Sequence, residues 1–186
     1  RDYDHMRKTY DSGVMDELIA DMEEATQLKI LAFPYIGTRH VNIRGDKKVM
    51  TPADLEGVKL RMPGGEGWQF VGEALGASPT PMAFTEVYTA LQTGAVDGQD
   101  NPLPADKQMK FYEVTDQIIL TGHLISNNVF SMSRSKWDSM TADQQGKVEE
   151  CAREFQDAMD EDTIQQESEL IAFFEGEGLD VYEPDK

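Results

Sequence analysis

The fold of this chain is decided by residues 61–104, which read RMPGGEGWQFVGEALGASPTPMAFTEVYTALQTGAVDGQDNPLP. Apolar and basic residues alternate over 58–62, which predicts a strand with Arg61 near its C-terminal end, on the polar face. Two helical segments follow, ended by Gly76 and Gly94, and an Asp-Gly turn comes after them. Alternating strands and helices predict an α/β fold.

The flanking sequence continues this alternation. Helical spacing of apolar residues predicts two short helices within 4–25, and an apolar run at 28–33 predicts a buried strand. A capping box at Thr141 opens a helix that continues to about residue 175, with a length of roughly 50 Å. Because that length exceeds the diameter of one small domain, the helix is expected to brace two lobes or to pack against partner helices.

Arg61 is the first candidate for a binding residue. Open α/β sheets bind ligands beyond the carboxyl ends of their strands, and a helix N-terminus follows Arg61 at once. A guanidinium can bind both oxygens of a carboxylate through two parallel hydrogen bonds. The alternative is a solvent-facing arginine that pairs with a nearby acid.

Asn101 lies in the segment DGQDNP, where the following proline favours an extended backbone. An extended asparagine can offer a ligand both a donor and an acceptor, although its side chain could instead bond to its own turn. The acids of this segment do not form a calcium loop, because the alternating ligand positions and the closing glutamate are absent.

The residues argue against a dinucleotide-binding site and against a metal or nucleophilic catalytic site. A dinucleotide fingerprint G-x-G-x-x-G fits Gly65 and Gly67 but meets Phe70 at the third glycine position. The histidines have no metal-ligand spacing and are expected to be structural, and no serine lies in a nucleophile elbow. No cofactor and no metal are therefore expected.

The composition of the chain disfavours several classes of binding partner. The 186 residues carry 35 acidic against 17 basic side chains, a formal net charge of −18, which disfavours binding to nucleic acid or to an anionic membrane. The single cysteine excludes an internal disulfide, and no apolar run is long enough for stable membrane insertion. The first residue is Arg rather than Met, so a mature protein, a cleaved product or a fragment is expected.

Several longer motifs resemble one family. They are TPADLEGVKLRMP at 51–63, PTPMAFTEVYTALQTGAVDGQDNPL at 79–103, FYEV at 111–114 and LTGHL at 120–124. These motifs are similar to those of the DctP-type solute-binding proteins of tripartite ATP-independent periplasmic (TRAP) transporters, and the similarity extends over nearly the whole chain. The resemblance implies a periplasmic-binding-protein-like (type II) architecture, with two α/β lobes flanking a cleft and a long helix crossing both.

The resemblance also implies the binding residues. Arg61 of KLRMP would grip a ligand carboxylate, Asn101 of DGQDNP would support it, and Phe84 of MAFTEV would line the cleft. Arg39 of GTR matches a second arginine of the family. Near the start of the helix that follows Arg61, Glu66 and Trp68 are further candidates, for the hydroxyl groups of a sugar acid.

The resemblance further implies that this chain lacks a preceding portion of the first lobe. On this reading, residues 1–36 are the C-terminal part of lobe I, 37–122 are lobe II, which binds the carboxylate, and 123–186 hold the crossover strand, the long helix and the C-terminal segment.

The implied function is that of a non-enzymatic periplasmic receptor for a small organic acid, which it delivers to a TRAP membrane permease, and sugar acids are the leading ligand class. Two alternatives stay open, a carboxylate-dependent hydrolase or sugar-acid enzyme and an acidic structural module.

Overall fold

The protein is described from a computed structural model that covers residues 2–185. It has an α/β fold, as the sequence predicts. The helices are α1 (Tyr3–Asp11), α2 (Asp16–Thr26), α3 (Glu66–Ala74), α4 (Val87–Thr93), α5 (Leu103–Gln108), α6 (Arg134–Asp138) and α7 (Ala142–Gly176). The strands are β1 (Leu28–Ala32), β2 (Tyr35–Ile43), β3 (Lys59–Met62), β4 (Ser78–Pro81), β5 (Gly98–Pro102), β6 (Gln117–Asn127), β7 (Phe130–Ser133) and β8 (Asp180–Tyr182). Short 3₁₀ turns cover Pro52–Leu55, Phe84–Glu86 and Phe111–Glu113.

The strands form two sheets. A mixed six-stranded sheet has the order β4-β3-β5-β2-β6-β8, and β1 pairs with β7 in a separate antiparallel ribbon. In the larger sheet β3 runs parallel to both β4 and β5, whereas β2 is antiparallel to β5. Strand β5 therefore lies between β3 and β2, and side chains of those two strands can meet beside it.

The chain divides into two compact units. The first unit contains the described residues through Gly37 together with Ile125–Gln165, and the second contains Thr38–Leu124 and the described residues from Gln166 onward. The lobe boundaries expected from the resemblance, 1–36, 37–122 and 123–186, stay a prediction. Their end positions, Arg1 and Lys186, lie outside the described residues.

The second unit contains a well-packed interior. One apolar cluster packs under the sheet around Val41, Leu60 and Met62, which are all fully buried. Another surrounds Phe111, and a third packs Ile118 against the end of α7. These buried apolar clusters stabilise the sheet and fix the position of β5 within it.

The long helix predicted from the capping box is confirmed as α7. Its residues up to Gln165 belong to the first unit and the remainder to the second. Both parts contain buried residues, Ala152, Asp160 and Thr163 in the first and Leu170 and Phe174 in the second, whereas Cys151 and Phe155 are exposed. None of the helices among residues 2–185 combines the length and the apolar character needed to cross a membrane.

Two local features were not predicted. Arg61, expected on the polar face of its strand, is buried there, and the segment after β4 contacts it through the backbone oxygen of Met82. Strand β4 was not predicted, since its sequence SPTP contains two prolines and no apolar alternation.

Candidate ligand-binding site

Strand β5 forms the floor of the candidate site, and all five of its residues are buried. Arg61 of β3 lies opposite Gln99 in the parallel register, and Arg39 of β2 lies opposite Pro102 in the antiparallel one. Two arginines from flanking strands therefore approach the same central strand, although they are 22 positions apart in the sequence.

The first residue of β5 must be a glycine for this arrangement. A Cβ atom at Gly98 would lie 2.6 Å from Cγ2 of Ile43 and 2.8 Å from the backbone oxygen of Asn42, closer than real Cβ atoms come. The glycine lets β5 approach β2 closely, which brings the side chains of the two strands within hydrogen-bonding distance.

Arg61 is a buried cation without a carboxylate partner. Its side chain donates from Nε and Nη2 to the backbone oxygen of Met82, at 3.0 and 2.7 Å, and its guanidinium lies 5.7 Å from the ring centre of Phe84. It forms no ion pair with any carboxylate among residues 2–185. Burial lowers the pKa of Arg61, Asp100 opposes that shift, and the charge of Arg39 adds to it.

Arg39, by contrast, is tied to a carboxylate. Its Nε donates to Oδ2 of Asp100 at 2.6 Å, and its Nη2 contacts Oδ1 of Asp100 at 3.0 Å and Oδ1 of Asn101 at 3.3 Å. The guanidinium also stacks on Trp68, 4.7 Å from the ring centre. The two guanidiniums and the single carboxylate of Asp100 leave an excess of one positive charge.

The two arginines differ in the donors they leave for a ligand. The bonds of Arg61 to Met82 occupy Nε–H and one Nη2–H, so both Nη1–H groups and the second Nη2–H have no partner among the described residues. Those groups lie at the end of the fork, where a carboxylate can accept two parallel hydrogen bonds. Arg39 has only its Nη1–H groups left, so it can contribute single bonds.

Asn101 lies in β5 with its amide held on both sides. Its Nδ2 donates to Oε1 of Gln99, and its Oδ1 accepts from Arg39. The extended backbone predicted for Asn101 is confirmed, but the residue belongs to a buried strand rather than to a loop. Its amide keeps one hydrogen and one lone pair that no described residue uses.

His123 joins the same network from β6. Its Nε2 lies 3.2 Å from Oδ2 of Asp100, and its Nδ1 lies 2.7 Å from the hydroxyl of Thr121. Burial alone would raise the pKa of Asp100, but the hydrogen bonds from His123 and Arg39 outweigh it, and the pKa is lowered. Asp100 is therefore ionised and holds Arg39 in place.

The remaining predicted residues lie around this network at different depths. Phe84 is 39% exposed and packs edge-on against Phe111, with ring centres 5.9 Å apart. Trp68 is half-buried beneath Arg39, and Glu66 is exposed at the first position of α3. Phe84 and Trp68 thus each contact one of the two arginines, whereas no contact of Glu66 with the network is observed among the described residues.

Four members of the network were not selected as ligand-binding residues from the sequence. They are Gln99, Asp106, whose Oδ1 accepts from Gln99, and Asp100 and His123, which were weighed only as metal ligands and rejected. The segment DGQDNP drew attention to its asparagine, but only the pairing of β5 with β2 shows that its other polar side chains point into the same buried region. Asp106 and His123 arrive from α5 and β6, and no sequence spacing signals their approach.

Cavities elsewhere do not involve the predicted residues. In the first unit an apolar cavity of 510 Å³ is lined by residues of β1, β7 and α7, with Phe130, Cys151 and Phe155 among them. A second, polar cavity of 430 Å³ lies beside α2 and includes Glu23 and Arg134. Both are separate from the arginines of the second unit.

Comparison with known proteins identifies the family of the chain. The family model described as bacterial extracellular solute-binding protein, family 7 (DctP), matches residues 1–186. The sialic acid-binding periplasmic protein SiaP of Vibrio cholerae is 36% identical over 189 residues, which cover 100% of this chain and 57% of SiaP.

Solved structures agree with that match. A TRAP periplasmic solute-binding protein of Roseobacter denitrificans with bound 3-deoxy-D-manno-oct-2-ulosonic acid is 47% identical, with a TM-score of 0.97 over 100% of this chain and 62% of that one. A second one from the same species, with bound L-galactonate, is 31% identical, with a TM-score of 0.92 over 100% of this chain and 61% of that one. The chain thus spans about 60% of the length of these relatives.

Proposed function

This chain belongs to the DctP family of bacterial extracellular solute-binding proteins, and on that premise we propose that it carries the carboxylate-binding part of a receptor for a sugar acid. The receptor would work in the periplasm and deliver its ligand to a TRAP-type membrane permease. It would act by binding and release, without catalytic turnover.

One observation carries the proposal, the buried guanidinium of Arg61 without a carboxylate partner. Burying a charge is costly unless it is paired and hydrogen-bonded. The carbonyl of Met82 satisfies one edge of the fork but does not neutralise it. An anionic ligand that accepts hydrogen bonds from the free end of the fork would supply the missing negative charge.

The other residues would complete the recognition of the acid. Arg39 can add a single bond from Nη1 to the same carboxylate, and Asn101 can add a donor and an acceptor. The exposed part of the Phe84 ring offers an apolar wall beside Arg61. Glu66 and Trp68 near the start of α3 would meet hydroxyl groups of the ligand, which is the least constrained part of the proposal.

A sugar acid is the ligand class that this proposal favours. The relatives named above include a sialic acid-binding protein and structures with bound 3-deoxy-D-manno-oct-2-ulosonic acid and L-galactonate. These compounds combine a carboxylate with several hydroxyl groups, so they require both a charged clamp and polar neighbours. The structure with 47% identity makes 3-deoxy-D-manno-oct-2-ulosonic acid the first compound to test.

The test is a titration of the full-length protein with sugar acids and simple carboxylates by calorimetry. We expect binding of a sugar acid without chemical change, with the recovered ligand intact by NMR. Arg61→Lys keeps the charge but loses the planar fork, and it should weaken binding by about 2–5 kcal/mol. Arg44→Lys, at an exposed arginine of the same unit, is the matched control and should bind as wild type.

Two results would contradict the proposal. Turnover of the sugar acid would support an enzyme instead, and equal affinities of the wild type and Arg61→Lys would remove Arg61 as the carboxylate clamp.

A further inference from the structure

A chain of side-chain hydrogen bonds runs behind the candidate site. Asp106 accepts from Nε2 of Gln99 at 2.8 Å, Gln99 accepts from Nδ2 of Asn101, and Asn101 accepts from Nη2 of Arg39. Gln99 is fully buried and Asp106 is 1% exposed. This series of hydrogen bonds therefore links Asp106 of α5 to the amide of Asn101 and the guanidinium of Arg39, which face the proposed ligand.

The two ends of the Gln99 amide are not interchangeable. Its Nε2 lies between two acceptors, Oδ1 of Asp106 and Oδ1 of Asn42 at 3.3 Å. The orientation of Asn42 is itself fixed, because its Nδ2 donates to the hydroxyl of Thr115 and to the backbone oxygen of Gln117. A flipped Gln99 would point its oxygen at Oδ1 of Asn42, which cannot donate, so the observed orientation is the one in which Oδ1 of Asn42 and Oδ1 of Asp106 both accept from Nε2.

The orientation of Gln99 determines that of Asn101. Because the oxygen of Gln99 faces Asn101, the amide nitrogen of Asn101 must turn toward it and the amide oxygen toward Arg39. A reversed Asn101 would place two oxygens together and direct two donors at each other. The contacts of Asn101 with Gln99 and Arg39 thus determine where its remaining hydrogen and lone pair point.

Asp106 is suited to this task as a neutral acid. Its Oδ2 is buried and has no hydrogen-bond partner among the residues that the structure describes. Burial raises the pKa of Asp106 well above its usual range, with an added contribution from Asp100 that the Gln99 bond and Arg39 oppose. A protonated carboxyl keeps Oδ1 as an acceptor and avoids an unpaired buried anion.

We propose that Asp106 is a positioning residue that sets the orientation of the Gln99 and Asn101 amides and thereby the hydrogen-bonding pattern offered to the ligand carboxylate. The consequence for affinity depends on the proposed function, whereas the amide orientations can be measured without ligand. Asp106 itself does not touch the ligand in this account.

The ligand-free test uses NMR of side-chain amides in the full-length protein. In the wild type and in Asp106→Asn, which retains an acceptor and the same shape, the amide protons of Gln99 and Asn101 should be sharp, distinct and protected from exchange. In Asp106→Val, which removes the acceptor, we expect the Gln99 signals to shift and lose protection. Unprotected Gln99 protons in the wild type, or unchanged signals in Asp106→Val, would overturn the proposal.

The binding test uses 3-deoxy-D-manno-oct-2-ulosonic acid as the probe. Asp106→Asn should bind within about twofold of the wild type, and Asp106→Val should bind at least about tenfold more weakly, the loss of roughly one hydrogen bond. If Asp106 acts through Gln99, adding Asp106→Val to Gln99→Leu should cause no further loss.

The outcomes of the binding test separate the two proposals. Fully additive losses in the double variant would overturn the positioning role. If Asp106→Val does not fold, Gln99→Leu alone must still weaken binding at least about tenfold, and an unchanged affinity would overturn the role. A protein with ordered amides that binds none of the acids would contradict the proposed function alone.

Discussion

Arg7 in the first unit and Arg61 in the second are both largely removed from solvent, and the two arginines are used differently. In the first unit Arg7 donates to Asp160 and to the backbone oxygen of Phe33, both at 2.9 Å. Asp160 is 3% exposed and also accepts from the hydroxyl of Tyr3 and the backbone N–H of Tyr35, at 2.8 and 2.7 Å. The charge of Arg7 is therefore neutralised within the fold.

In the second unit Arg61 is 3% exposed, and among residues 2–185 its only partners are the backbone oxygen of Met82 and the ring of Phe84. A carbonyl accepts a hydrogen bond without neutralising the charge. The comparison shows that burial alone does not distinguish a structural arginine from a binding one. The distinguishing feature is whether the partner that neutralises the charge belongs to the fold.

The largest expected effect lies in the structural pair. Asp160→Ala should lower the free energy of unfolding by about 3–5 kcal/mol, because it leaves the partly buried charge of Arg7 unpaired and removes three hydrogen bonds to a buried carboxylate. Urea unfolding of the full-length protein measures the change. Asp157→Ala, at an exposed position of the same helix, should change stability by less than about 0.5 kcal/mol. Similar values for both variants would erase the distinction between the two arginines.

The next effect concerns pH and the excess positive charge of the two arginines at the candidate site. His40 adjoins Arg39 in β2, and its Nδ1 accepts from the backbone N–H of Gly122 at 3.1 Å. Burial, followed by the nearby His123, lowers the pKa of His40 from 6.5 to about 4. The folded protein therefore holds His40 neutral in a pH range where the unfolded chain binds a proton.

The sign follows from this difference in proton binding. Between about pH 6.5 and pH 4 the unfolded state gains stability from protonation that the folded state cannot match, so stability falls as the pH falls, by on the order of 3 kcal/mol. Urea unfolding at pH 4 to 7 should show this loss for the wild type and a smaller one for His40→Gln. His5→Gln, at an exposed histidine, should follow the wild type. If the stability of His40→Gln falls with pH as steeply as that of the wild type, the folded protein can accept a protonated His40 beside Arg39.

The smallest effect concerns the aromatic support of Arg39. Trp68→Phe weakens the cation–π contact beneath the guanidinium and should reduce affinity for the sugar acid by about 0.5–1 kcal/mol, or twofold to fivefold. Calorimetry measures the affinity. Phe70→Leu is the control, since Phe70 is 70% exposed on the same helix. If the two substitutions have equal effects, Trp68 has no special relation to the site.

Much of the fold could be predicted from the sequence, because the signals for these helices and strands lie within their own segments. The α7 helix follows from one capping box and an uninterrupted helical pattern, and β3 follows from its alternation and the proline after it. Strand β4 could not be predicted, because its proline-rich sequence gives no sign of its pairing with β3.

The candidate site divides in the same way. Arg61, Asn101 and Phe84 could be selected from strand ends and from family motifs. The burial of Arg61 and its bond to Met82 could not, because they depend on a segment 21 positions away. The support from Asp106 and His123 also depends on packing between elements distant in the sequence.

The central claim is that the charge of Arg61 serves a ligand rather than the fold, and Arg61→Met in the full-length protein tests it most directly. Loss of the bonds to Met82 should cost about 1–3 kcal/mol, and removal of a buried unpaired charge should offset most of it. We therefore predict a free energy of unfolding within about 1 kcal/mol of the wild type and an affinity for the sugar acid at least about 100-fold weaker, since the charged donor is gone. A variant that loses several kcal/mol of stability and still binds the acid with wild-type affinity would contradict the account.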